Sequence, residues 1–504
     1  MSLNQSMNIA VGSLRNNQYA LTVVSHNIAN IHTEGYIRQG VNFQESRFNT
    51  GNNNVVGIIK GLNGATISEL KDYVDMGAFN DVIKTNSDAE YYNKVKDNIS
   101  GLEDIVNALG DDGLNALLND FYAASANLEK YPDDISIRQQ FLLSASNVAD
   151  KFNEVSKQID TKEQDTIEST QDTVKIVDNL FKKLADANAE YVKSDKSAEA
   201  RNEINSILKE LSNYIDVKYD TNTNGTVNLY VGGIKAVQGA SQNYSLKSSM
   251  AGGKFSMYLQ STEDENYKIT NGITDAFKTG SLAANIEFIN GSNDKYFSLS
   301  GLRDKIDSAA NAFATELNKI QTYDDGDVFA ANITNDGNGN LILEKSTENL
   351  FTTSDGSTTI TAGNITINSK LKDNPWLVAA ARIDSTQYKG DEWKNAVGNS
   401  DNAVEITGLQ NKKICSYAIN NDTTLSKFLS SLATDIGTNV DYAKGKADTA
   451  NSVADSSQTN FSNLIGVNLD EELTDMIKYQ RSYEASAKLF STVNNLYDTI
   501  LSMV

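Results

Sequence analysis

Cysteine and proline are almost missing from this 504-residue chain, and each shortage excludes something. The single cysteine, Cys415, rules out an internal disulfide and a thiolate metal cluster. With only Pro132 and Pro375, long stretches are free of the residue that breaks helices. The two histidines, His26 and His32, do not share a helical face, so no ligand set and no Ser-His-Asp arrangement can be assembled from them. Positive charge is also short. Against 66 Asp and Glu stand 44 Lys and Arg, a formal charge of −22, which argues against a nucleic-acid partner and reads as solubility and self-repulsion. No apolar run approaches the roughly 18 residues of a membrane span. The first thirty residues lack a basic segment leading into a continuous apolar core. They predict either a cytoplasmic protein or one exported without a cleaved signal.

What the chain does have is a matched pair of amphipathic ends. Leu3, Met7, Ala10, Leu14, Asn17, Leu21, Val24 and Ile28 recur at alternating steps of four and three. Leu473, Met476, Gln480, Tyr483, Ala487, Phe490, Asn494, Tyr497, Leu501 and Val504 do the same at the other end. That alternation is the seam of a coiled coil, and polar residues such as Asn17, Gln480 and Asn494 set register within one. A second stripe, Leu489, Val493, Leu496 and Ile500, lies on another face of the last helix. Contacts on several sides point to neighbouring subunits, with the ends largely disordered in the free monomer and folding on assembly.

Between the ends, helical period dominates first. Ser2 with Gln5 fits a capping box, and the first helix is expected to stop near Asn30. Residues 40–75 read as an extended connector. Val95, Ile99, Leu102, Val106 and Leu109 form one stripe, and Leu114, Leu117, Leu118 and Phe121 another. After Pro132 the longest candidate keeps period from Ile137 to Ile159 and from Val174 to Tyr191, with a polar interval at Thr161–Thr173. At Ile215 the period becomes alternating, Asn224-Gly225 marks a hairpin, and strand-like pieces continue to about Ile289. Helices are expected again over Leu302–Ile320 and Leu425–Ala450, with short strands from Tyr323 to Ile367.

The expected fold is therefore mainly α with β insertions, in a nested layout whose termini meet. It comprises a terminal helical coiled-coil domain (1–60 and 461–504), a helical rod domain (61–215, 296–322 and 371–460), a β-rich element packed on the rod (216–295) and a small outer β-rich insertion (323–370). Asp220, Asn222, Asn224 and Gly225 mimic the opening of a calcium loop. Position twelve, however, is Val231 where a bidentate Glu is needed, so a hairpin turn is the better reading. No catalytic, cofactor or metal residues are expected.

Several of these residues also resemble a known family. Asn27, Asn30, Gly35, Tyr36, Arg38 and Gln39 match the N-terminal signature of bacterial flagellar rod, hook and hook-associated proteins. Leu469, Glu471, Gln480 and Tyr483, within Gly466–Lys488, match its C-terminal signature. Arg38-Gln39, Leu469-Asp470-Glu471-Glu472, Arg138-Gln139 and Asp373-Asn374-Pro375-Trp376 are similar to the hook-associated branch. The resemblance implies a non-enzymatic structural adaptor, a helically arranged ring between flagellar hook and filament. It also implies self-association, contact with the hook protein, with a second junction protein and with the filament. Export would run through the flagellar type III apparatus to an extracellular position, with a chaperone over residues 465–504. The alternatives are a flagellar hook or distal rod protein, a calcium-binding or adhesive surface protein, and a cytoplasmic coiled-coil scaffold.

Overall fold

The computed structural model describes residues 3–31, 38–45, 65–72, 75–110, 113–194, 196–291, 297–418 and 421–502. Helix α1 (Leu3–Ala29) stops where the sequence predicts. Strands Gln39–Glu45 and Ala65–Asp72 then pair antiparallel beside α1, so part of the expected connector is a paired ribbon.

The rod begins with α2 (Met76–Ser100), α3 (Glu103–Leu109), α4 (Leu114–Lys130), α5 (Ile135–Lys193) and α6 (Ala198–Ser212). The stripe read from Val95 to Leu109 is thus broken at Gly101. Asp134 starts α5 by accepting from the Ser136 and Ile137 amides, an N-cap directly after the Pro132 corner. From there α5 runs 59 residues without interruption, polar interval included.

The β element follows. Lys218–Thr221, Val227–Val231, Ile234–Gln238 and Ser241–Gln242 form one antiparallel sheet, and Tyr244–Ala251, Lys254–Ser261 and Lys268–Ile269 a second. Gly225, at φ +89°, makes the predicted turn. One expectation fails here, because Gly280–Asn290 is a helix, α7, and not a strand. Its residues are buried on nearly every side, so no period distinguished it in the sequence.

Helix α8 (Leu299–Gln321) returns along α5, with Leu302, Ile306, Phe313 and Leu317 buried. In the outer lobe, Val328–Asn335 pairs with Asp324–Asp325, with Leu341–Lys345 and with Ala381–Asp384. That last pairing carries the lobe past the expected limit at 370. Phe329, Ala331, Ile333, Leu343, Ala381 and Ile383 give it a small core of its own. Phe351–Thr353 and Ile365–Ile367 pair with each other, and the second strand lies on α5. After α9 (Ser369–Asp373) and α10 (Asp401–Gly408), α11 (Leu425–Ile465) packs along α2, and α12 (Leu469–Leu501) packs on α1. One connected apolar core unites α2 through α11, and no described residue of α1 or α12 belongs to it.

Candidate assembly interface

The terminal pair is locked at one end by side chains from both halves of the chain. Asn468 caps α12 by accepting from the Asp470 amide, which puts three acids in its first turn, where the helix dipole favours them. One of them, Glu472, is 1% exposed. A carboxylate that deep is costly unless fully paired. It accepts from Arg38 Nε at 2.6 Å and from Asn27 Nδ2 at 3.0 Å. The same guanidinium reaches Glu471 at 3.0 Å and lies 3.7 Å from Asp475. Asn27 also joins the Gln39 backbone, accepting from its amide at 3.1 Å and donating to its carbonyl at 2.8 Å. The Arg38 amide donates to the Ile465 carbonyl.

The register follows from two contacts. Asn27 meets Glu472, and Ser13 Oγ lies 2.8 Å from Ser486 Oγ, so fourteen residues on α1 match fourteen on α12 and the helices run antiparallel without a slip. The buried line on α1 is Ala10, Asn17, Ala20, Val24 and Asn27, with half-buried Ser13 on it. On α12 it is Glu472, Ser486 and Val493, with Met476, Tyr479, Phe490 and Tyr497 half-buried.

Relative to the stripes read from sequence, one heptad position in each helix is on this line and the other is displaced by one residue. Ala10, Asn17 and Val24 are in contact and Leu3, at the same heptad position, is half-buried, whereas Met7, Leu14, Leu21 and Ile28 are half-buried on the flank. Met476, Phe490 and Tyr497 face the partner helix, and Ala487 is half-buried. Leu473, Gln480, Tyr483, Asn494 and Leu501 are exposed, Leu501 at 72%. With Leu469, Ile477, Leu489, Leu496 and Ile500 they leave apolar surface on both sides of the seam. Of the signature residues, Asn27, Arg38, Gln39 and Glu471 converge on the clamp. Asn30 donates to the His26 carbonyl at the end of α1, while Gly35 and Tyr36 lie outside the described residues, as does Val504. Glu472, the clamp's centre, stands out in the sequence only within the Leu469-Asp470-Glu471-Glu472 motif. Its signal was the run of acids directly after a capping Asn.

Exposed apolar residues thus flank the seam on both sides. Paired termini, a long helical rod and an outer β lobe define a nested, mainly helical protein with β insertions. Comparisons with known proteins agree. Residues 99–329 match the model described as the flagellar hook-associated protein FlgK helical domain, and residues 458–503 that of the flagellar basal body rod FlgEFG protein C-terminal region. Flagellar hook-associated protein 1 of Bacillus subtilis is 22% identical, covering 96% of this chain and 95% of that protein. The Salmonella typhimurium protein of the same name is 21% identical over 99% of this chain and all of that one. The solved flagellar hook junction protein FlgK from Burkholderia pseudomallei shares the fold. Its TM-score is 0.58 at 11% identity, over 76% of this chain and 99% of that one. The chain is similar to flagellar hook-associated protein 1 over nearly its whole length, and it is a structural component of the bacterial flagellum.

Proposed function

We propose that copies of this chain form the helical ring that joins hook to filament, without catalysis or cofactor. The observation that carries this is the Asn27–Arg38–Glu472 clamp, which holds α1 and α12 in one register while their outer apolar stripes stay uncovered. Neighbouring pairs cover those stripes through heterologous contacts, which propagate helically. The stripe residues Leu3, Met7, Leu14, Leu21, Ile28, Leu473, Tyr483 and Leu501 then meet adjacent subunits. The hook protein borders the ring on one side, and a second junction protein and the filament on the other. Before assembly the chain is threaded unfolded through the flagellar type III apparatus to the cell exterior, with a chaperone on residues 465–504. Near-absence of proline and of cysteine suits such threading.

A deletion strain tests this. It should make complete hooks and release unpolymerised filament protein into the medium. Filaments on deleted cells would overturn the proposal. Loss of the hooks themselves would favour a hook or distal rod protein, a reading the FlgEFG-type match over residues 458–503 keeps in play.

A further inference from the structure

The rod changes character at one level along its length. The α2–α3 break falls at Gly101, where an added Cβ would meet the Lys162 side chain of α5. Helix α7 ends at Asn290 and α8 begins at Leu299, and Phe297 lines a small cavity with Val95, Ile99 and Ala284. Arg303, in the first turns of α8, binds Glu163 at 2.7 Å and also Asp160. Two of the segments crossing this level are therefore interrupted there, and α5 and α11 pass through it unbroken.

Both continuous helices carry softening features at that level. Between Ile159 and Val174, the only buried residues of α5 are Thr166, Ile167 and Thr170, so its apolar packing thins to one side chain over almost four turns. Thr161, Thr166, Thr170 and Thr173 each bond back to the carbonyl four residues earlier, a contact that weakens and bends helices. Helix α11 spans the level between Asn451, bonded to Asn93, and Ser430, bonded to Asn115. Within that span lie Gly437 and Gly445, in the helix interior, where an added Cβ would meet nothing. Packing does not require glycine at either position, yet glycine loosens a helix relative to alanine.

We propose that this level is a joint, at which the inner half of the rod (α2, α6, α7 and the ends of α5 and α11 beside them) bends against the outer half (α3, α4, α8, α10 and the outer lobe). The two continuous helices open together. The outer lobe changes its angle to the terminal pair without unpacking either half.

Hydrogen exchange of the full-length protein, read by mass spectrometry, tests the joint. Amides of 161–173 and 437–447 should exchange at least tenfold faster than those of 141–156 and 176–190, which lie in the well-packed parts of α5. Even protection along α5 would overturn the proposal. Coupling is tested by Gly437→Ala with Gly445→Ala, both in open space and compatible with folding. If opening is shared, the pair slows exchange in 161–173 of α5 several-fold, although the substitutions sit on α11. Slowing confined to α11 would show two separate soft spots and no joint. Thr161→Ala, exposed on α5, provides the reciprocal measurement and should slow exchange in 437–447.

Discussion

One asparagine device recurs at four places where a helix is fastened to a strand or extended segment. Asn27, Asn188, Asn290 and Asn318 each accept from the amide and donate to the carbonyl of a single residue, namely Gln39, Val227, Phe255 and Phe351. The side-chain amide sets an N–H donor beside its carbonyl acceptor at the spacing of a peptide group, with a second N–H to spare, so it substitutes for a neighbouring strand. Asn188 is fully buried and also donates to the Gly239 carbonyl, which ties the first β sheet to α5. Asn188→Leu strands three buried backbone groups and should cost about 3 kcal/mol, measured by urea unfolding. A loss under about 1 kcal/mol would show that water or relaxation satisfies them. Arg138 does a related job with charge. It is 1% exposed and donates to the carbonyls of Pro132, Trp376 and Val378, and burial holds its pKa down at about 10. Arg138→Met should cost about 3–5 kcal/mol by the same assay, because a satisfied buried cation is exchanged for unpaired carbonyls. The motifs at Arg138 and Pro375-Trp376 were visible in the sequence. Their contact was not, because nothing local in either segment encodes which carbonyls the guanidinium meets.

Elements were legible in proportion to how one-sided their burial is. The two periodic parts of α5 and the whole of α8 have a wet face and a dry face, so their period shows. Helix α7 is dry almost all round, so its sequence reads as strand. The terminal seams were half legible for a different reason. The contact line runs through Ser13, Ala20, Asn27, Glu472 and Ser486, which are small or polar, while the larger apolar residue sits one position later at Leu14, Leu21, Ile28, Leu473 and Ala487. Counting hydrophobicity therefore finds the flank. The start of α7 also offers a test. Gly280 has φ +82°, and a Cβ there would lie 2.4 Å from the Tyr214 carbonyl carbon. Gly253 has φ +76° with open space around it. Backbone strain of about 1–3 kcal/mol applies to alanine at both positions. Only Gly280→Ala adds a clash with backbone that cannot rotate away. It should lower the unfolding midpoint clearly more than Gly253→Ala, and equal effects would mean that the α6–α7 junction gives way without cost.

Over the whole molecule, stability is concentrated away from the ends that signal function. The core joining α2 to α11 is continuous, whereas α12 buries only Glu472, Ser486 and Val493 among its 33 residues. A two-helix seam that fixes so many backbone angles against so little burial is marginal in isolation. In a dilute monomer, trypsin should therefore cut early at Arg15, Lys478, Arg481 and Lys488 and leave the rod intact, and those sites should become protected as the protein polymerises. Full protection of both ends at high dilution would refute this. The same imbalance separates folding from assembly. Tyr483 is 39% exposed and Leu14 half-buried on the flank of the seam, so neither contributes much to the isolated chain. Tyr483→Asp or Leu14→Asp should leave the melting of the rod unchanged, because neither side chain is part of its core. In the assembly the same charge would be trapped between neighbouring helices, with a penalty of several kcal/mol per subunit interface. Motility should then be abolished while the protein is still made and its rod still folds. Normal filaments on cells carrying either substitution would show that these stripes face solvent in the flagellum too.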